Sequence, residues 1–369
     1  MERSRKLDLL TAAGVSLWLD DLGRTRLTDG SLKTLVDDWS IRGITTNPTI
    51  FAKSIDGSAD YDAQLAELAS QGADVETAVR ALTTTDVRDA CDVLRGVYDE
   101  SDGADGFVSL EVDPRLARDA DGTVAQAAEL WAMVDRPNLL IKIPATAECL
   151  PAIRTTLAAG ISVNVTLIFG LDRYAEVVDA FLGGVEDALA AGRDVSRLAS
   201  VASFFVSRVD TDVDPRLDAI GTPEAAALRG KSALANARLA YLYHREVLAG
   251  DRWKALAAAG ARPQRPLWAS TGVKDSRYAP AMYVTGLVAD GTVNTMPEAT
   301  LQAAAVYHGG IADTISPTGR KSREILDALD GLGISYDALV ARLEEEGVDK
   351  FVASWTELLA TVEQNLKKA

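Results

Sequence analysis

The sequence predicts an α/β fold, a (β/α)8 TIM barrel with additional helices in the connection between the second and third strands and at the C-terminus. Three observations predict it. Short apolar, strand-like runs recur eight times along the 369 residues. Amphipathic helical stretches separate them, the alternation of a parallel sheet wrapped by helices. Polar residues gather at the C-terminal ends of the runs, where a closed barrel of this kind carries its site.

The runs are SLWLD (16–20), GITT (43–46), GFVSLEV (106–112), LLIKIP (139–144), ISVNVTLIF (161–169), SVASFFV (200–206), PLWAST (266–271) and TVNTM (292–296). Near-continuous Leu, Ile and Val suit parallel strands covered on both faces. Over 123–135, Val124, Ala127, Ala128, Trp131 and Val134 fall on one helical face. Over 173–189, Tyr174, Val177, Val178, Phe181, Leu182 and Val185 do the same. Residues 52–105 are long for one crossover and hold about two helices, so a helical insertion is expected. From about 317 to 369 the pattern is helical again, with Phe351, Trp355, Leu358, Leu359 and Val362 marking the inner face of the last helix. No linker or low-complexity tract interrupts the chain, which reads as a single domain over 1–369.

Composition narrows the function. Lys plus Arg number 38 against 54 Asp plus Glu, a formal net charge of −16. That disfavours nucleic acid and anionic membranes as partners but leaves small anionic metabolites, which feel the local field of a cleft. Cys91 and Cys149 lie far apart and suggest no disulfide framework, which fits a reducing cytoplasm. The opening stretch lacks a sustained apolar core, so no signal peptide is expected. No run approaches the roughly 18 apolar residues of a membrane span. Two histidines, His244 and His308, are poor material for a His-rich metal site, which leaves carboxylates as ligands for magnesium. Both fall in helical contexts and read as structural or surface residues.

Lys142 stands out, because it sits inside LLIKIP and a lysine is almost never fully buried without a partner or a task. Side chains alternate along a strand. If Lys142 points into the barrel, so does Leu140, while Ile141 and Ile143 face the helices. The same reasoning brings Asp20, Thr45 with Asn47, Ser109 with Glu111, Asn164 with Thr166, Ser203 with Arg208 just beyond it, and Ser270 to one end of the barrel. Singly each has a structural alternative: Asp20 as a helix cap, Asn47 before Pro48 as a turn, Lys142 as a carboxylate's partner. Together they are expensive, since a barrel interior is normally filled by branched apolar side chains.

A lysine in an apolar pocket has its pKa lowered, because desolvation disfavours the ammonium. The free amine can attack a carbonyl and form an iminium, which draws electrons from the neighbouring C–C bond. One carboxylate would take the proton from the hydroxyl whose carbon leaves, and a second acid/base would serve imine formation and hydrolysis. Asp20 and Glu111 are available for these tasks. Asn and Ser groups would hold substrate hydroxyls, and Arg208 offers a forked donor for phosphate.

At this point the chain resembles the transaldolases, in their longer bacterial and plant form. The matching stretches are SLWLDDLGR, GITTNPTIFAKSI, VSLEVDPRLA, LLIKIPAT, GISVNVTLIFGLDRY, FFVSRVDTDVD, RPLWASTGVKD and TVNTMPEATL, in the right order over roughly residues 14 to 310. The resemblance implies Lys142 as the Schiff-base lysine and Asp20 as the acid/base for aldol cleavage and condensation. It implies Glu111 and Thr166 as holders of the water of imine formation and hydrolysis. Asn47 and Asn164 would bind substrate or the lysine intermediate, Thr45 would line the site, and Ser203 would contact the dihydroxyacetone moiety. Arg208 and Ser270 would hold the sugar phosphate. In many shorter members an arginine follows two positions after the serine matching Ser270. Here that position is Gly272, and Lys274 is the expected replacement, a point charge instead of a fork.

The implied reaction passes a dihydroxyacetone unit from a ketose phosphate (sedoheptulose 7-phosphate or fructose 6-phosphate) to an aldose phosphate (glyceraldehyde 3-phosphate or erythrose 4-phosphate), in the non-oxidative pentose phosphate pathway. It needs no metal or organic cofactor. Sugar phosphates are the expected partners, in a cytoplasmic monomer or homodimer. Two other readings fit the same residues: a fructose 6-phosphate aldolase-like lyase that releases free dihydroxyacetone, and a non-catalytic sugar-phosphate-binding barrel. LRGKS (228–232) lacks the earlier glycine of a phosphate loop, since Ala225 stands there. Cys149 reads as packing, and the run Glu344–Glu346 as a solvated face.

Overall fold

The computed structural model describes residues 5–369. Eight strands form a closed barrel in sequential order: β1 (Val15–Leu19), β2 (Ile41–Ile44), β3 (Phe107–Glu111), β4 (Leu139–Pro144), β5 (Val163–Ile168), β6 (Ser200–Phe205), β7 (Arg265–Ala269) and β8 (Thr292–Met296). Every neighbouring pair is parallel, and β8 closes on β1. All eight sequence runs are strands.

Register sets the level of each inward side chain. Glu111 stands opposite Lys142, and Lys142 stands opposite Asn164. The outward set, including Leu17, Ile141, Ile143 and Val165, is wholly buried under the helices. Helix Leu171–Ala190 buries Tyr174, Val177, Val178, Phe181, Leu182 and Val185, as its spacing predicts. Burial of each large apolar side chain is worth about 1.5–3 kcal/mol.

Helix Ala120–Val134 differs from expectation. Its buried stripe is Thr123, Ala127, Leu130 and Val134, while Ala128 is exposed and Val124 and Trp131 are half-buried. An Ala-rich helix has a shallow apolar gradient, and Leu130 turns the stripe toward the barrel. The β2–β3 connection is also richer than expected, with helices Pro48–Ile55, Asp62–Ser70, Val75–Val93 and Arg95–Glu100. His308 is not helical; it is exposed in the loop after helix Glu298–Ala305. His244 is buried in helix Ser232–Ala249, where burial pushes its imidazole down to about 4.

Two helices make up the C-terminal stretch, Gly319–Gly331 and the tail helix Tyr336–Lys368. The tail helix lies against helices Pro48–Ile55 and Val75–Val93 and reaches β5. Phe351, Leu358 and Val362 are its buried face, with Trp355 and Leu359 half-buried beside them. No helix among the described residues is long and apolar enough to cross a membrane.

Candidate active site

The C-terminal ends of the strands surround a cavity of about 350 Å³ at the barrel mouth. Lys142 lines it from β4, with a side chain only 5% exposed. Its Nζ donates to the Thr46 carbonyl oxygen at 3.0 Å and lies 3.7 Å from Glu111 Oε2. The Phe351 ring of the tail helix covers it, 5.5 Å from Nζ to the centroid. The amine therefore sits in a mostly dry pocket held by one carbonyl and one carboxylate.

Asp20 follows β1 and lines the same cavity. Its Oδ1 accepts a hydrogen bond from Thr45 Oγ1 at 2.7 Å, and Thr45 in turn shares a 2.6 Å contact with Thr295 Oγ1. Burial raises the Asp20 carboxyl above its ordinary value of 3.8, partly offset by the Lys142 charge and the Thr45 hydroxyl. Desolvation also lifts Glu111, to about 7, against the pull of Lys142. Both carboxyl groups are thus raised by the same cause and pulled back by the same lysine.

Glu111 sets its Oε2 3.7 Å from the Lys142 amine that lines the mouth. It lines a separate small cavity between β3 and the surrounding helices. Thr166 lines the mouth, and neither Thr166 Oγ1 nor Glu111 Oε2 makes a hydrogen bond within the protein. Thr166 is aimed by a break in regular pairing: the β5–β6 register shifts between Val165 and Ile168, and Leu167 adopts a left-handed φ of 60°. A leucine there is strained, and such strain is stored at sites that need a side chain re-aimed.

Asn164 lies one layer below. It is fully buried, its Nδ2 donates to Ser109 Oγ at 2.9 Å, and its Oδ1 accepts from Ser203 Oγ at 2.7 Å. Ser203 lines the mouth cavity; Asn164 does not. Asn47 caps helix Pro48–Ile55, its Oδ1 accepting from the Ile50 amide at 3.1 Å, and lines both cavities. The capping role leaves its amide N–H groups available.

On the far side the wall is cationic. Arg208 stacks over Phe205 at 5.4 Å, and its Nη1 is buried with no hydrogen-bond partner. Lys274 and Lys53 line the same cavity. A Cβ placed on Gly272 would lie 3.8 Å from Lys274 Nζ, in ordinary contact, so the lysine amine stands beside position 272. Ser270 lines the cavity with a left-handed φ of 55°, its hydroxyl 2.9 Å from that of Ser207. A mouth with three cations besides Lys142, on a chain of net charge −16, concentrates the field where an anion would sit.

Among the expected residues, the cavity thus gathers Lys142, Asp20, Thr45, Asn47 and Thr166 on one side, and Ser203, Arg208, Ser270 and Lys274 on the other. Sequence reasoning missed Thr295, Lys53 and Phe351. The TVNTM run signals Thr295 by alternation. Phe351 was legible as a buried helix position, but nothing in the tail's periodicity points it at Lys142. Cys149 packs as expected, its Sγ near the Leu116 and Ala117 carbonyls. No group of three or more His, Cys, Asp or Glu able to hold a metal ion occurs among the described residues.

The family described as Transaldolase/Fructose-6-phosphate aldolase matches residues 17–362. Transaldolases of Frankia alni and Thermobifida fusca are each 60% identical to the chain, over 99% and 98% of both sequences respectively. A transaldolase of Saccharopolyspora erythraea is 56% identical over 100% of both.

Proposed function

The chain belongs to the transaldolase/fructose-6-phosphate aldolase family, and from that premise we propose that its transaldolase chemistry runs through a Schiff base on Lys142. The observation that carries this is the Lys142 amine, buried at the barrel mouth between a carboxylate and an aromatic ring.

The free amine attacks the carbonyl carbon of a ketose phosphate, and the carbinolamine loses water to give an iminium. Asp20 takes the proton from the hydroxyl on the carbon beyond the bond to be broken. That C–C bond breaks, its electrons pass into the iminium as an enamine, and an aldose phosphate leaves. The enamine then adds to the carbonyl carbon of a second aldose phosphate, and Asp20 returns the proton to the new alkoxide. Water hydrolyses the new imine, releasing the product ketose. Glu111 and Thr166, with hydrogen-bonding capacity left over on either side of Lys142, manage the water of both imine steps.

Arg208, Lys274 and Ser270 bind the phosphate, with Lys53 adding charge at the rim. Ser203 and Asn47 hold substrate hydroxyls, and Asn164 acts by fixing Ser203. Phe351 keeps water from discharging the three-carbon intermediate early. That, and the transaldolases among the full-length relatives, favour transfer over simple cleavage or over binding alone. Sugar phosphates such as fructose 6-phosphate and sedoheptulose 7-phosphate are the proposed substrates, and the cytoplasm the proposed location.

Borohydride reduction in the presence of fructose 6-phosphate, followed by intact mass and peptide mapping, tests the reading. A three-carbon or six-carbon adduct on Lys142, lost in Lys142→Ala, is expected. An adduct elsewhere, or none, overturns it.

A further inference from the structure

Asp20 is flanked by the ends of β2 and β8. Its amide donates to the Met296 carbonyl at 2.9 Å, and the Thr45 amide donates to the Leu19 carbonyl at 2.9 Å. Thr45 and Thr295 are each 2% exposed and line the mouth cavity beside Asp20. The Thr295 carbonyl is fixed in turn by Thr271 Oγ1, which donates to it at 2.7 Å. Backbone pairing therefore decides where the two hydroxyls stand.

Proton counting gives them a direction. A hydroxyl has one proton and two lone pairs, and an ionised carboxylate only accepts. Thr45 spends its proton on Asp20 Oδ1 at 2.7 Å. Its 2.6 Å contact with Thr295 Oγ1 must then be made by the Thr295 proton. In a buried row each such bond strengthens the next. Asp20 Oδ1 is committed, which leaves Oδ2 for the substrate hydroxyl.

We propose that Thr295 is a positioning residue for Asp20. Its hydroxyl donates to Thr45, holds the Thr45 proton on Oδ1, and so presents Oδ2 to the proton that is transferred. The inference rests on the acid/base role proposed for Asp20 above. Without Thr295 the Thr45 hydroxyl is free to turn toward the cavity, and Asp20 loses its orientation and a bond that favours its ionised form. The charged groups facing Asp20 are Lys142 from β4, Lys274 after β7, Asp21 beside it and Glu111 from β3. No substitution at 295 removes any of them.

The test is turnover and borohydride trapping with fructose 6-phosphate in Thr295→Val, Thr295→Ala and Thr295→Ser, beside Asp20→Asn. Imine formation precedes the step given to Asp20. Slowing that step makes the six-carbon adduct on Lys142 accumulate over the three-carbon one. Thr295→Val and Thr295→Ala are expected to lower kcat about five- to tenfold with KM within about twofold. They should raise the six-carbon share, as Asp20→Asn does, and move the acid limb of kcat up by about half a pH unit. Thr295→Ser should restore most of each change. A raised six-carbon share in Asp20→Asn with none in the Thr295 variants overturns this inference and spares Asp20. So does an effect at Thr295 confined to KM, or one that serine leaves in place. An Asp20→Asn variant that accumulates no six-carbon adduct overturns the role of Asp20, and this inference with it.

Discussion

The two ends of the barrel treat polar side chains in opposite ways. At the N-terminal end, Asp105 is spent on its neighbours. Ser16 Oγ donates to it, Trp18 Nε1 donates at 3.0 Å, and Arg265 Nη2 approaches at 3.4 Å. Arg265 also stacks over the Trp18 ring at 5.9 Å. Gly43 must be glycine there, since a Cβ would fall 2.4 Å from that ring. At the C-terminal end, Glu111 Oε2, Thr166 Oγ1 and Arg208 Nη1 are buried with no hydrogen bond in the protein. Buried polar atoms normally find partners. Asp105 uses its carboxylate to close the barrel; Glu111, Thr166 and Arg208 at the mouth keep hydrogen-bonding capacity that a ligand can use, at a cost in stability.

The largest expected effect falls at the reactive end. Lys142→Ala should lower kcat/KM on the order of 10⁴-fold or more in a coupled transfer assay, with the thermal midpoint held or raised. A fall in midpoint large enough to explain the lost activity would remove the contrast. Asp20→Asn should cost about 10²–10⁴-fold in kcat while still allowing a reducible adduct, since the proton transfer proposed for it comes after imine formation. Normal turnover would remove Asp20 from that step.

Asp105→Ala should do the reverse. Losing its carboxylate strands the Trp18 and Arg265 donors and should cost about 1–3 kcal/mol in denaturant unfolding, with kcat of the folded protein unchanged. If kcat fell and stability did not, the closing role of that end would be wrong.

Glu111 links stability to pH with a definite sign. Its folded pKa of about 7 lies above the ordinary 4.5, so the native state holds its proton more tightly than the unfolded chain. Stability from this group is therefore lost as pH rises from about 4.5 to 7, and the cost is complete above 7. Glu111→Gln should stabilise the protein above pH 7 by on the order of 1–3 kcal/mol, and by little near pH 4. Urea unfolding at the two pH values checks this, and equal gains at both would contradict it.

The smallest effect belongs to the rim. Lys274→Ala should raise KM for a phosphorylated substrate about tenfold with kcat little changed, and Lys274→Arg should restore most of it. A kcat effect without a KM effect would move Lys274 out of phosphate binding.

Much of this was legible in the order of residues, for reasons that are local. A strand buried on both faces must be apolar along its length, so LLIKIP and its seven counterparts announce themselves, and a lysine among them stands out. Alternation then assigns inward sides within each strand, which is why Lys142, Asp20, Thr45, Ser203 and Thr166 meet at one mouth. Only the tertiary structure decided which neighbours share a cavity. Glu111 and Lys142 are adjacent across β3 and β4 and pair at 3.7 Å, yet Glu111 also lines a second, smaller cavity under the helices. Asn164 has the right parity and stands opposite Lys142, but only the tertiary structure shows its amide held by Ser109 and Ser203. The tail helix drops Phe351 onto Lys142 and Trp355 beside Glu111 across more than 200 positions of sequence. Periodicity tells a helix which face to bury; what that face meets depends on shape complementarity between distant surfaces, which no local pattern encodes.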